Sequence, residues 1–352
     1  MDSQVLSNSG QQLSTGTKRI EYIDALRGFT MFLVVACHVT IFCFSALVKG
    51  SSFAAYLVQI RMPLFFFISG FVLYKQDVVW NSGQIVKFFK KKIPVQLISP
   101  FLFYAVYVMV FDKDLVAGLF EVGKYGYWFT YALLVFYVIY AAIRFAVRSW
   151  WADVLLVLVG LCLYIVIWPG YRNYVPLSDD VLSLLSVDRW YHFIFFVFGT
   201  LTKKYFSKVE QMLDGKWVIP ICVLFYFLVN VYSGVLPVNG IVILPFLSLT
   251  GIVIVFSFFR QNRAVFSKER RLGRIMQYTG RRTLDIYLLH YFFIPYNLTI
   301  VTVFKDHPMP VLEFAASSAL AILIIALCLL VSNVIRLSPF LAHWLFGVKK
   351  AS

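Results

Sequence analysis

The sequence predicts an all-α, polytopic integral membrane protein of about ten transmembrane helices, with both termini in the cytoplasm. Three observations predict it. Hydrophobic residues make up 61% of the 352-residue chain and charged residues only 14%, against roughly a quarter charged in an ordinary soluble domain. The apolar residues fall into runs of about 17 to 22, the length that crosses a bilayer, and in lipid a helix bonds every backbone amide within its own segment. The basic residues gather in alternate connections.

In chain order the spans fall near 26–47, 53–74, 94–111, 127–146, 152–169, 187–202, 217–232, 240–258, 283–302 and 311–335. Lys18, Arg19 and Arg27 flank the first. Lys75, Lys87, Lys90, Lys91 and Lys92 follow the second, and Arg144 and Arg148 follow the fourth. Lys203, Lys204, Lys208 and Lys216 come after the sixth. A dense series from Arg260 to Arg282 comes after the eighth, and Arg336, Lys349 and Lys350 come after the tenth. Most of the 32 basic residues therefore lie on one side, which the positive-inside rule makes the cytoplasm. The net charge of +15 is then topological and needs no nucleic-acid partner.

Residues 1–18 are polar and expected to form a disordered cytoplasmic tail, without the apolar stretch of a signal peptide. Residues 19–348 form one transmembrane domain and 349–352 a short cytoplasmic tail, with no attached soluble domain expected. Cys37, Cys43, Cys162, Cys222 and Cys328 lie in apolar spans without metal or redox spacing and read as small core residues. There is no P-loop, no GxGxxG after a strand, no HExxH and no GxSxG elbow. No metal is expected.

Ionisable residues inside spans are costly and are functional candidates by default. In "LRGFTMFLVVACHVT", Arg27 and His38 are eleven residues apart, which leaves them about 20° from one helix face and separated by about 16 Å of rise. That face carries a phosphate-binding cation at the water edge and a proton acceptor near the midplane. The plainer reading is a snorkelling arginine and an interhelical hydrogen bond. Arg61, in "QIRMPLFFFISGF", lies too deep to snorkel and is followed by Pro63; it serves structure or contacts a ligand. His290 lies about 12 Å above Arg282 by helical rise, a depth similar to His38. Either the two share a polar cavity or both are packing histidines. Asp24 and Asp285 suit helix N-termini.

Five segments in order resemble the acyltransferase family 3 membrane proteins. "YIDALRGFTMFLVVACHVT" carries an R-x10-H pair like the family's defining motif. "RMPLFFFISGFVLYK", "FFKKKIPVQLISP", "YWFTYALLVFYVIY" and "MQYTGRRTLDIYLLHYFF" are similar to its later elements. The resemblance spans roughly residues 20–335. It departs in the first motif, where Asp24-Ala25-Leu26-Arg27 stands in place of the frequent Asp-Gly-Leu-Arg.

The resemblance implies a stand-alone O-acyltransferase, in most cases an O-acetyltransferase, of the bacterial inner membrane. It implies acetyl-CoA or another acyl-CoA as donor, and as acceptor a hydroxyl of a surface glycan or its lipid-linked precursor. A periplasmic partner protein is a further expectation. On this reading Arg27 and His38 are catalytic. Arg27, with Lys90, Lys91 and Lys92 or Arg281 and Arg282, holds the donor's phosphates, and Arg61 or His290 contacts the oxyanion or the acceptor. The rivals are a transporter or flippase for a glycan or lipid precursor, disfavoured by the lack of an evident repeat, and a non-catalytic scaffold of a glycan-assembly complex.

Overall fold

Glu21 and Asp24 open the first helix, where acidic side chains meet the positive end of the backbone dipole. An apolar run then carries it on as α1, Glu21–Phe44. The structure, a computed structural model, describes residues 20–44, 52–76, 78–167, 178–232, 240–296 and 309–348. The tails expected at 1–18 and 349–352, and the far half of the span expected at 283–302, lie outside the described residues or largely so.

Helix α2, Ser52–Leu73, contains Pro63. Next comes α3, Ser82–Val110, whose first turn is capped by Asn81 accepting from the Gln84 amide at 2.8 Å. It passes through a π-helical stretch at Pro94–Ile98, where proline supplies no amide to the ladder. Then follow α4, Trp128–Ala146, α5, Trp151–Ile167, and α6, Phe193–Lys204, the last preceded by a 3₁₀ segment Val187–His192. Helices α7, Phe206–Leu213, and α8, Val218–Tyr232, meet at a bend of 78°. The remainder comprises α9, Gly240–Gln261, α10, Arg271–Arg281, α11, Thr283–Leu289, α12, Pro310–Ile335, and α13, Pro339–Phe346. Among the described residues there is no strand.

Among the described residues, five helices, α1, α3, α4, α9 and α12, are long and apolar enough to cross a membrane, six if the bent α7–α8 pair is one span. Leu57–Leu73 and Trp151–Ile167 are shorter apolar helices. Of the ten or so spans expected, those five appear as long helices; others are short or broken, because a hydropathy window counts apolar residues and is blind to breaks. The break after Leu289 shows how one arises. Pro295 has no amide to give the Tyr291 carbonyl, which receives the Tyr296 hydroxyl at 3.4 Å instead. One turn earlier, the His290 ring donates to the Tyr287 carbonyl, an acceptor that a continuing helix would use, while the His290 amide keeps the Ile286 carbonyl in the ladder. The chain therefore turns as a 3₁₀ segment at His290–Phe292.

Two close helix crossings hold the centre. A Cβ on Gly28 would meet the Met276 carbonyl oxygen at 2.3 Å, and one on Gly280 would meet that of Asp24 at 1.8 Å. Glycine at both positions lets α1 and α10 lie backbone to backbone, as small residues do in membranes. Gly70 and Gly199 make the same contact between α2 and α6. Helix α8 is mostly apolar and fully buries none of its side chains, which suits a helix facing lipid on one side, while Tyr226 and Asn230 hydrogen-bond Gln59 of α2.

The charges that remain near the helix ends are paired. Asp153 on α5 receives Arg144 of α4 and Lys204 and Tyr205 beside α6. Arg260 on α9 holds Asp214 and Glu210. Asp285 on α11 holds Arg336, Arg282 and Ser332.

Candidate active site

Helix α1 supplies both residues of the spacing motif. Arg27 is half-buried at one end, its Nη2 donating to Thr283 Oγ1 at 3.0 Å and its Nη1 lying 3.9 Å from Asp24 Oδ1. The neighbouring crossing with α10 fixes this part of the helix. Three turns along, His38 is half-buried on the same side.

Arg27 opens onto a cavity of about 540 Å³. Lys75, Lys87, Lys91 and Lys92 line it as well, so five cations converge on one space. Lys92 lies over the Tyr137 ring, 4.8 Å from its centroid, a favourable seat for a cation. Val95 and Gln96, from the π-helical stretch of α3, complete part of the wall. Lys90 is exposed outside this lining, as is Arg281. Arg282 points to Asp285 and Ser332 and also lies outside it. Lys75 and Lys87, which hydropathy reasoning treats only as topological charges, are therefore part of the cavity.

His38 faces a second, smaller chamber of about 40 Å³, lined also by Arg61, Trp128 and Tyr291. Across the helix bundle, His290 is fully buried and places Nε2 2.9 Å from His38 Nδ1, with the two rings only 7° from parallel. The hydrogen bonds assign the tautomers. His290 Nδ1 is 2.8 Å from the Tyr287 carbonyl and 3.1 Å from that of Ile286, and a carbonyl only accepts. Neutral His290 therefore carries its proton on Nδ1 and accepts at Nε2. His38 Nδ1 must donate to it, which leaves the lone pair of His38 on Nε2. The Tyr291 hydroxyl lies 3.4 Å from that nitrogen. A histidine held by a second group in the tautomer that exposes a basic nitrogen is the arrangement of a general base or nucleophile.

Arg61 reaches the same chamber with an Nε and an Nη1 that are buried and make no hydrogen bond. Arg189 lies over Trp128, 4.8 Å from its centroid. Buried guanidinium donors without a partner are expensive, and here they border the space in front of His38. Motif spacing gives no sign that Tyr291 belongs to the site. The one available signal was that Tyr291 directly follows His290 in "LLHYFF". The described residues contain no cluster of His, Cys, Asp or Glu suited to a metal.

Comparison with known proteins agrees with the sequence motifs. No curated protein and no solved structure matches the chain. The Acyl_transf_3 family model, described as an acyltransferase domain, matches residues 20–332, nearly the whole of the helical bundle that holds Arg27, His38, Arg61 and His290. The chain belongs to the acyltransferase 3 family and is a multi-pass membrane acyltransferase.

Proposed function

We propose that the protein takes an acetyl group from acetyl-CoA on the cytoplasmic side and transfers it to a hydroxyl of a surface glycan or its lipid-linked precursor. The setting is a bacterial inner membrane, with about ten crossings once the short and broken helices are included and both termini cytoplasmic. The observation that carries this reading is the basic Nε2 of His38, fixed by His290 in a chamber that also holds the unpaired donors of Arg61.

Arg27 and the lysines at 75, 87, 91 and 92 bind the donor's phosphates; Arg27 is always charged and forked for phosphate oxygens. His38 Nε2 removes the proton of the acceptor hydroxyl as its oxygen attacks the thioester carbonyl carbon. The carbonyl oxygen then becomes an oxyanion, and Arg61 donates to it, the moment at which preorganised donors contribute most. As the tetrahedral intermediate collapses, the C–S bond breaks and His38 returns its proton to the departing thiolate. His290 stabilises the transient imidazolium through the His38 Nδ1–H bond. A separate periplasmic protein receives the group where the glycan is finished outside the membrane.

The test is mass spectrometry of surface glycans from a host lacking the gene, complemented with wild type or with His38→Ala at matched membrane abundance. An acetyl group restored by wild type alone supports the reading. If both proteins restore it, His38 is structural and the mechanism falls. If neither adds an acyl group, the glycan acceptor is wrong.

A further inference from the structure

Phe65, Phe129 and Tyr287 line both cavities, whereas Arg27 borders only the large one and His38 only the small one. We propose that these three rings form a collar that selects the acyl chain, admitting acetyl to His38 and excluding chains of several carbons. The inference rests on the acyl-CoA reading above and adds the residues that set its donor specificity.

The geometry of the collar is tight. Phe65 and Phe129 meet edge to face with centroids 4.6 Å apart, and Phe129 and Tyr287 meet likewise at 5.7 Å. Such contacts hold rings in defined orientations. Tyr287 is also anchored at its polar end, its hydroxyl donating to the Gly126 carbonyl at 2.9 Å and accepting from the Phe129 amide at 3.2 Å. Gly126 cannot retreat to widen the opening, because a Cβ there would already lie 2.0 Å from the Tyr291 ring. Two sides of the collar are thus fixed to backbone at the start of α4, and Phe65 on α2 closes the third.

Beyond the collar the chamber offers about 40 Å³, room for about three water-sized groups at 10–15 Å³ each. An acetyl group has three non-hydrogen atoms and a hexanoyl group seven. For the carbonyl carbon to meet a hydroxyl held at His38 Nε2, the acyl tail must lie on the chamber side of the rings. A hexanoyl tail exceeds that space, so it must displace a ring or run out through the chamber's open side.

The experiment uses membranes of the expressing host, which contain the natural acceptor, with His38→Ala membranes as the blank. CoA release from acetyl-CoA and from hexanoyl-CoA gives a ratio of kcat/KM for wild type, Phe65→Ala and Phe65→Leu. Each excluded methylene is worth roughly tenfold or more, so wild type should favour acetyl by more than about 100-fold. Phe65→Ala should narrow that ratio at least about tenfold, with Phe65→Leu in between. An unchanged ratio in both variants, with acetyl turnover retained, overturns the collar. So does a wild type that uses both thioesters equally; the acyl-CoA reading then survives alone. If Phe65→Ala fails to accumulate, the milder Phe65→Leu decides. If wild type uses neither thioester, the donor reading and the collar fall together.

Discussion

Asp285 and Arg61 are both charged side chains buried in the helical bundle, and their surroundings are opposite. The Asp285 carboxylate accepts from Arg336 Nε at 2.9 Å and Nη2 at 3.0 Å, and also from Arg282 and Ser332. Both oxygens have partners, and Asp285 lines neither of the two cavities. Arg61 has a buried Nε and Nη1 without a hydrogen bond, and it lines a chamber together with His38. A charge placed for stability is saturated by its neighbours. A charge placed for chemistry keeps donors in reserve for a group that arrives later. Burial alone does not separate the two cases, because both carry a desolvation cost; the count of satisfied partners does.

The sharpest way to break this contrast lies at the histidine pair. In His290→Phe the acceptor for His38 Nδ1–H is gone, and the tautomer with a basic Nε2 is no longer enforced. We expect kcat to fall by about 10²–10⁴, with KM for acetyl-CoA nearly unchanged because the donor cavity is untouched. A loss confined to KM would show that His290 shapes binding and does not position His38. Next comes Arg61→Met, expected to lower kcat by about 10²–10³ as one oxyanion donor is lost. Its thermal stability should hold or rise, since the substitution removes unsatisfied buried donors. Asp285→Ala should do the reverse. Two arginines lose their common partner, and a cost of about 3 kcal/mol is expected, at the lower end because both guanidinium groups keep some solvent. It should appear as a lower melting temperature and a lower membrane abundance, with kcat per folded molecule preserved. If Arg61→Met melts early and Asp285→Ala does not, the count of partners is not the discriminator claimed.

Much of this site was legible in the sequence, and the illegible part has a clear physical origin. The R-x10-H spacing placed Arg27 and His38 on one face because helical periodicity is a local property, and α1 is a continuous helix over both. The depth argument brought His290 level with His38, and the structure puts them in hydrogen-bonding contact across 252 residues of sequence. The reason for that contact was hidden. It depends on α11 stopping at Leu289, and a break set by Pro295 and a ring–carbonyl bond leaves no trace in average hydropathy. The donor-side cations divide between the large cavity and its surroundings. Arg27, Lys91 and Lys92 line it, whereas Arg281 is exposed and Arg282 pairs with Asp285 and Ser332. Lys87 reaches the cavity because α3 begins at Ser82, twelve residues before the span was expected to start, and Lys75 lines it just past the end of α2 at Leu73.

The smallest predicted effect tests the other end of the α1 face. Lys87 and Lys91 are exposed at the rim of the large cavity, unlike Arg61, whose Nε and Nη1 are buried in the chamber that His38 lines. An exposed cation meeting a phosphate in water contributes little, about 0.5–1 kcal/mol, which is a two- to fivefold rise in KM for acetyl-CoA on substitution by alanine. The effect should shrink as salt is raised, since the screening length falls from about 10 Å at 0.1 M to about 3 Å at 1 M. The rate at saturating donor should not change, because the phosphates stay where they are while the thioester reacts. Initial rates for Lys87→Ala and Lys91→Ala at low and high salt separate the possibilities. A salt-sensitive change in KM alone places these lysines in ground-state binding. A salt-insensitive loss of kcat would mean that the large cavity also orders the thioester, and that the division of labour along α1 is less clean than its geometry implies.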